Sequence, residues 1–226
     1  MNEKILVIHP GNSRTGAGTF QHYLLKSLNV NILAKPTENQ TRTIWFKLFK
    51  EHLFENKYEI KKKEYNYYKL RNDFKDYLKS FFNNQKRISV FSDEGLIMLG
   101  RLNSYFGIYN LYIFKEVIEE IENELNIKII TKFVITIRKQ HGIILSNYYF
   151  GGYKGSVEDF FKKIIQSEDY KNLFDYTLSV KKINKIFNSE ILILPLELLI
   201  KDQEKYIDKL CKFMSAEVNS EINIRQ

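Results

Sequence analysis

The chain has 226 residues with 44% hydrophobic content, which is typical of a folded domain and excludes a disordered chain. Its 35 basic and 27 acidic residues give a net charge of +8, which favours anionic partners but does not separate a nucleotide from a nucleic acid, a glycan or a membrane surface. The single cysteine, Cys211, excludes an intramolecular disulfide. Because the sequence has neither a leader-like start nor an apolar run of about 18–20 residues, we expect a soluble, cytoplasmic protein.

Short apolar runs alternate with amphipathic stretches along the whole chain. Five runs are predicted as strands: Ile5–His9, Asn31–Ala34, Ile88–Phe91, Lys132–Ile137 and Ile191–Leu194. The stretches between and after them are predicted as helices: Thr19–Leu28, two helices within 41–84, Asn110–Leu125, Ile143–Phe150, Val157–Gln166, Tyr170–Phe187 and Asp202–Met214. This alternation predicts a single domain over residues 1–226, with a parallel sheet between two helical layers and ligands at the carboxyl ends of the strands.

The first strand runs into a glycine-rich loop and then a helix. Gly11 and Gly16 have the spacing of a Walker P-loop, but Ala17 and Gly18 stand where that motif has Lys and Ser or Thr. The cation of this loop, Arg14, precedes the second glycine. Because a helix that follows such a loop directs backbone N–H groups at one point, the segment predicts an anion site without a Walker-type metal.

A second anion site is predicted after the fourth strand. Arg138 follows that strand directly, and Ser146 comes eight residues later on the next helix. A guanidinium at a strand end and a hydroxyl on the following helix can bind the same anion. Two anion sites at strand ends suit a nucleotide that is phosphorylated at two positions.

These motifs resemble those of the sulfotransferases that use 3′-phosphoadenosine 5′-phosphosulfate (PAPS), particularly the bacterial carbohydrate-type members. Arg14–Gln21 is similar to the loop that binds the 5′-phosphosulfate in that family, and the Arg138/Ser146 pair is similar to its 3′-phosphate site. Residues 92–96 and 193–199 resemble two further segments of the family, so that the resemblance extends over the whole chain.

The resemblance implies a P-loop-NTPase-like fold and transfer of a sulfuryl group from PAPS to a hydroxyl or amine, with 3′-phosphoadenosine 5′-phosphate (PAP) as the spent product. It also implies a saccharide or glycolipid acceptor, no metal and no nucleic acid partner. The basic, aromatic-rich residues 41–84 are predicted to form a helical insertion on the acceptor side. The cofactor-binding residues that the resemblance implies are Arg14, Thr15, Gly16, Ala17, Gly18, Thr19, Arg138 and Ser146.

Four residues are candidates for catalysis. Arg14 stands where the family more often has Lys. Because Arg holds its proton firmly, we expect Arg14 to stabilise negative charge rather than to transfer a proton. Glu94 is the preferred general base, since it follows the carboxyl end of a strand. His9 and His141 are rival bases, because each lies next to a phosphate motif. Glu197, in contrast, is expected to anchor the end of the sheet.

Two other functions stay open at this point. A P-loop nucleotide-dependent kinase would use the same fold, but the sequence lacks the Lys-Ser/Thr step of that class. A non-catalytic protein that binds nucleic acid or another polyanion is supported only by the net charge and the interleaved aromatic residues.

Overall fold

A computed structural model describes residues 2–10, 15–34, 64–83, 86–92, 105–150, 153–166 and 176–218. Within these ranges one sheet is formed by five strands: β1 (Asn2–His9), β2 (Asn31–Ala34), β3 (Ile88–Ser92), β4 (Ile127–Ile137) and β5 (Glu190–Pro195). Their spatial order is β2-β3-β1-β4-β5, and all four pairings are parallel. The predicted parallel sheet is therefore confirmed, with β1 at its centre.

The strands β1 and β4 begin earlier than the apolar pattern predicts. At the start of β1, charged side chains interrupt the pattern, but they find partners at the amino edge of the sheet. Lys4 donates from Nζ to the Lys86 carbonyl at 3.1 Å, and Glu3 pairs with Arg87 at 2.8 Å. Because these polar groups are satisfied, β1 can stay extended before its apolar run, and its pairing with β4 begins at Asn2 and Ile127.

The helices lie between the strands and after the last one. The first, α1, is composite: it is α-helical over Ala17–Thr19, π-helical over Phe20–Leu24 and 3₁₀ over Leu25–Ser27. The others are α2 (Glu64–Phe82), α3 (Tyr105–Leu125), α4 (Gln140–Phe150), α5 (Val157–Gln166), α6 (Tyr176–Phe187), α7 (Leu196–Lys201) and α8 (Gln203–Met214). Among the described residues, none of the helices is both long and apolar enough to span a membrane.

Alternate side chains of the central strands enter two cores, one on each face of the sheet. Leu6 and Ile8 of β1 pack with side chains from α2, α3 and α6, whereas Ile5 and Val7 pack with side chains from α1 and α8. Because successive strand residues point to opposite faces, one buried strand contributes to both cores. The result is the three-layer α/β/α arrangement that the sequence predicts.

The helix α2 belongs to one of these layers. Its Phe74, Leu78 and Phe82 are buried in the first core. On its outer side α2 forms ion pairs with α3, which join Arg71 to Glu116 and Glu120, Lys75 to Glu120 and Glu124, and Lys79 to Glu124. Of the predicted insertion 41–84, residues 41–63 lie outside the described residues, and the rest is largely this helix.

Candidate functional site

Three neighbouring strands carry polar side chains at their carboxyl ends. Ser92 ends β3, His9 ends β1 and Thr136 lies one residue before the end of β4, and all three are buried. The Nδ1 of His9 lies 2.7 Å from Ser92 Oγ, and its Nε2 lies 3.2 Å from Thr136 Oγ1. Burial lowers the pKa of His9 to about 3, so its imidazole is neutral at neutral pH.

The loop after β1 returns to the sheet at Thr15 and turns at Gly16. Thr15 Oγ1 lies 2.9 Å from Thr136 Oγ1. Gly16 adopts a φ of +84°, which glycine tolerates and other residues rarely adopt. Its carbonyl accepts a hydrogen bond of 2.9 Å from Phe20 N, so α1 starts directly at the turn. The amino terminus of α1 therefore lies at the carboxyl edge of the sheet, where the N–H groups of its first turn, which have no partner within the helix itself, can meet an anion.

The π-helical part of α1 adds two more contacts to these strand ends. Gln21 donates from Nε2 to Ser92 Oγ at 2.9 Å and to the Ser92 carbonyl at 3.3 Å. The ring of Phe20 lies on the imidazole of His9, with 4.1 Å between the centroids. The resulting cluster of buried hydrogen-bonding side chains is called the strand-tip network and consists of Thr15, Gln21, Ser92, His9 and Thr136.

The second predicted anion segment begins where β4 ends. Tyr176 of α6 holds the backbone of Arg138, since its hydroxyl accepts from Arg138 N at 3.2 Å and donates to Arg138 O at 3.0 Å. Burial raises the pKa of Tyr176, which keeps this donor protonated. The Nε of Arg138 lies 2.9 Å from the point where Gly142 would carry a Cβ. Ser146 follows Gly142 by one helical turn, so the guanidinium lies over the face of α4 that carries Ser146.

The short helix α7 connects the two segments. Leu196, its first residue, contacts the turn at Gly16: a Cβ on that glycine would lie 2.6 Å from Leu196 Cδ1. Glu197 accepts a hydrogen bond of 2.8 Å from the backbone N of Lys139, which confirms that it anchors the end of the sheet. Both predicted anion segments therefore lie at one edge of the sheet, because β1 and β4 are neighbours and run parallel.

The structure separates the predicted site residues into groups. Arg14 and Glu94 lie outside the described residues. His9 is fully buried, and both of its ring nitrogens have partners, whereas His141 is exposed in the first turn of α4. The described members of the predicted cofactor set fall into two segments: Thr15, Gly16, Ala17, Gly18 and Thr19 lie at the start of α1, whereas Arg138 lies just before α4 and Ser146 in the middle of that helix.

Sequence reasoning did not assign a role to several residues that the structure brings to this edge, namely Gln21, Thr136, Gly142 and Tyr176. Thr136 carried a local signal, since it is the polar residue within the run of apolar residues from Phe133 to Ile137. In the part of the chain that the structure describes, no group of three or more His, Cys, Asp or Glu side chains could hold a metal ion.

Comparison with known proteins places this architecture among established folds. No family model and no curated protein sequence matches the chain. Among solved structures, the chain is similar to a sulfotransferase from Alicyclobacillus acidocaldarius, with a TM-score of 0.54 and 13% identity over 100% of this chain and 86% of that chain. The likeness shows the fold. The chain has a P-loop-like α/β fold, as predicted.

A sugar kinase from Janibacter sp. HTCC2649 aligns with a TM-score of 0.41 and 10% identity over 94% of this chain and 95% of that chain. At that level of similarity we infer nothing from the alignment.

Proposed function

We propose that the protein is a sulfotransferase that moves a sulfuryl group from PAPS to a hydroxyl or amine of a saccharide or glycoconjugate. The observation that carries this proposal is that the two predicted anion-binding segments, Thr15–Thr19 and the Arg138/Ser146 pair, follow the carboxyl ends of neighbouring parallel strands. A nucleotide with phosphates at both ends of its ribose needs two such segments on one edge. The fold shared with the Alicyclobacillus acidocaldarius sulfotransferase supports the same activity.

The residues at this edge fit a bisphosphorylated nucleotide. The positive φ of Gly16 turns the chain so that α1 starts at the carboxyl edge of the sheet, where an anion can meet the N–H groups of its first turn. Arg138 and Ser146 offer a guanidinium and a hydroxyl, which suit the 3′-phosphate. We assign the cation Arg14 to the 5′-phosphosulfate end.

When bound, PAPS would supply the sulfuryl group: the S–O bond to its 5′-phosphate would break while sulfur forms a new bond to the acceptor oxygen or nitrogen, and the acceptor proton would pass to a base. The N–H groups of Thr15–Thr19 and the guanidinium of Arg14 stabilise the charge at the 5′-phosphate. We propose Glu94 as the base, with the exposed His141 as its rival. His9 has no solvent exposure and both of its nitrogens are engaged, so we assign it no direct proton transfer.

The test is the stabilisation of the protein by PAP in the absence of Mg²⁺. At about 100 times its dissociation constant, PAP is expected to add about 2.7 kcal/mol to the free energy of unfolding, which raises the melting temperature by several degrees. The variants Arg138→Ala and Ser146→Ala should remove most of this shift. Lys128→Ala is the matched control, because it removes a cation from the opposite end of the same strand.

The same measurement separates the alternatives. Stabilisation by Mg-ATP without any by PAP would reject the sulfotransferase and favour a kinase. Salt-sensitive binding to any DNA duplex, with no preference for the 3′-phosphorylated nucleotide, would favour a polyanion-binding protein.

A further inference from the structure

We propose that the hydroxyl of Tyr149 is a third donor to the 3′-phosphate, beside the guanidinium of Arg138 and the hydroxyl of Ser146. This assignment adds a binding residue to the nucleotide site, and the identity of the anion rests on the proposed function. A phosphate group presents three strong acceptor oxygens. One guanidinium and one hydroxyl therefore leave acceptor capacity on the phosphate for a further donor on the same face of α4.

The three donors lie along one face of α4. Gly142, whose missing Cβ leaves room for the Arg138 guanidinium, is followed by Ser146 after four residues and by Tyr149 after another three. This spacing places residues on the same side of a helix. Because helical side chains lean toward the amino terminus, the side chain of Tyr149 leans over the turn that carries Ser146. Three residues rise about 4.5 Å, less than the length of a tyrosine side chain, so the Tyr149 hydroxyl reaches the level of Ser146.

These donors have no protein partner among the residues that the structure describes. The guanidinium of Arg138 is half-buried but forms no ion pair with them, and the hydroxyls of Ser146 and Tyr149 form no hydrogen bond with them. The helix α4 itself contains no Asp or Glu. A half-buried cation without a carboxylate, with two hydroxyl donors along the same face, favours an anion as the partner of all three.

The ring of Tyr149 is exposed and yet supported. Tyr149 is 69% exposed, so its hydroxyl is accessible to a ligand. Its ring meets the ring of Tyr148 edge to face, with 5.2 Å between the centroids. Tyr148 is fixed in turn, because its hydroxyl donates to the Gly155 carbonyl at 2.9 Å and its ring packs on Phe160 at 5.8 Å. This support limits the side-chain freedom that Tyr149 loses when it binds a phosphate.

Tyr149→Phe tests the hydroxyl alone, in the full chain. The variant keeps the ring and its contact with Tyr148, so the melting temperature without nucleotide should stay unchanged. Affinity for adenosine 3′-monophosphate and for PAP, measured by calorimetry, should fall about three- to tenfold, which corresponds to about one hydrogen bond. Affinity for adenosine 5′-monophosphate should stay unchanged, since that nucleotide has the same base and ribose but no 3′-phosphate. Tyr112→Phe, at an exposed tyrosine of α3, is the matched control and should leave all three affinities unchanged.

Two further variants separate the hydroxyl from the ring and from the rest of the site. Tyr149→Ala should weaken binding of adenosine 3′-monophosphate as much as Tyr149→Phe does, because both variants lose the hydroxyl. In the Arg138→Ala background Tyr149→Phe should have a smaller effect, because the phosphate is no longer held beside α4.

The outcomes distinguish the role of Tyr149 from the proposed function. A loss in Tyr149→Ala without one in Tyr149→Phe would assign the contact to the ring and overturn the role of the hydroxyl. An equal loss for both monophosphates in Tyr149→Phe would also overturn it, and so would 3′-phosphate binding that Arg138→Ala weakens and Tyr149→Phe does not. Wild-type protein that binds none of the three nucleotides would overturn the proposed function, and the role of Tyr149 with it.

Discussion

The side chain of Leu196 covers Gly16, since its Cδ1 lies 2.6 Å from the point where that glycine would carry a Cβ. The first residue of α7 therefore packs directly on the turn that starts α1. The next residue, Glu197, binds the backbone N of Lys139 just before α4. Two consecutive residues after β5 thus contact both segments that we propose to hold phosphates, so the relative position of these segments depends on α7.

Because of this contact, substitution by alanine should be less well tolerated at Gly16 than at the nearby Gly18. In Gly16→Ala the new Cβ meets Leu196 and the residue must keep a φ of +84°, so the free energy of unfolding should fall by about 1–3 kcal/mol. Gly18 lies within α1, and among the described residues it has no neighbouring atom within 4 Å of the point where a Cβ would stand, so Gly18→Ala should be neutral or add up to about 1 kcal/mol to the free energy of unfolding. Urea denaturation measures the free energy of unfolding of both variants, and equal effects would contradict the packing of Leu196 on Gly16.

The buried His9 predicts a loss of stability on acidification. Its pKa is about 3 in the folded protein but near 6.5 when unfolded, so below pH 6.5 the unfolded chain binds the additional proton. The free energy of unfolding should therefore fall as the pH decreases from 6.5 toward 3, with a slope that approaches about 1.4 kcal/mol per pH unit. Urea denaturation at several pH values between 7 and 5 measures this dependence of the free energy of unfolding on pH.

The control for this prediction is His9→Gln, which cannot take up the proton. The carboxylates also contribute at low pH, because Lys75 and Lys79 lower the pKa of Glu124 to about 2, and its contribution is lost as the pH falls below its unfolded value. That contribution is common to both proteins and cancels in the difference. A pH dependence that is the same in wild type and His9→Gln would contradict the assignment to His9.

The sheet and most helices were predictable because their signals are local. Each strand is a short apolar run, and the glycine loop between β1 and α1 can be read from adjacent residues. The strand-tip network could not be predicted in this way, since His9 meets Ser92 and Thr136 across 83 and 127 residues of sequence. Only the spatial strand order brings these side chains together. The helix α7 was missed because its apolar residues continue the pattern of β5 without a break.

The hydroxyl of Tyr176 should affect binding of the 3′-phosphate and not of the 5′-phosphate. Tyr176→Phe removes the hydroxyl that bonds the backbone N–H and carbonyl of Arg138, which should lower the free energy of unfolding by about 1–3 kcal/mol. We expect weaker binding of adenosine 3′-monophosphate and unchanged binding of adenosine 5′-monophosphate, measured by calorimetry. Tyr112→Phe, on the exposed side of α3, is the control. A loss confined to the 5′-phosphorylated nucleotide would contradict the assignment of Arg138.

The packing of α2 predicts that this helix cannot be removed without loss of the core. Leu78 of α2 is fully buried in the core that this helix forms with the sheet. Leu78→Ala should therefore lower the free energy of unfolding by about 2–5 kcal/mol. Asp76→Ala, on the exposed side of the same helix, should change it by no more than about 0.5 kcal/mol. Comparable small effects of both variants in urea denaturation would show that α2 is peripheral to the fold.

Gly142 offers a test in which stability and binding change in opposite directions. An alanine within α4 should raise the free energy of unfolding by about 0.5–1 kcal/mol, because glycine is the poorer helix former. Its Cβ, however, would lie 2.9 Å from Arg138 Nε and would displace the guanidinium from the face that carries Ser146. Affinity for adenosine 3′-monophosphate should therefore fall.

A double-mutant cycle decides whether this loss passes through Arg138. If Gly142→Ala acts by displacing the guanidinium, it should weaken binding in the wild-type background and have no further effect in Arg138→Ala, because the group to be displaced is gone. An equal loss in both backgrounds would mean that Gly142 acts on the helix or on Ser146 directly. The cycle thereby measures the coupling between the strand end and the helix face, on which the proposed 3′-phosphate site depends.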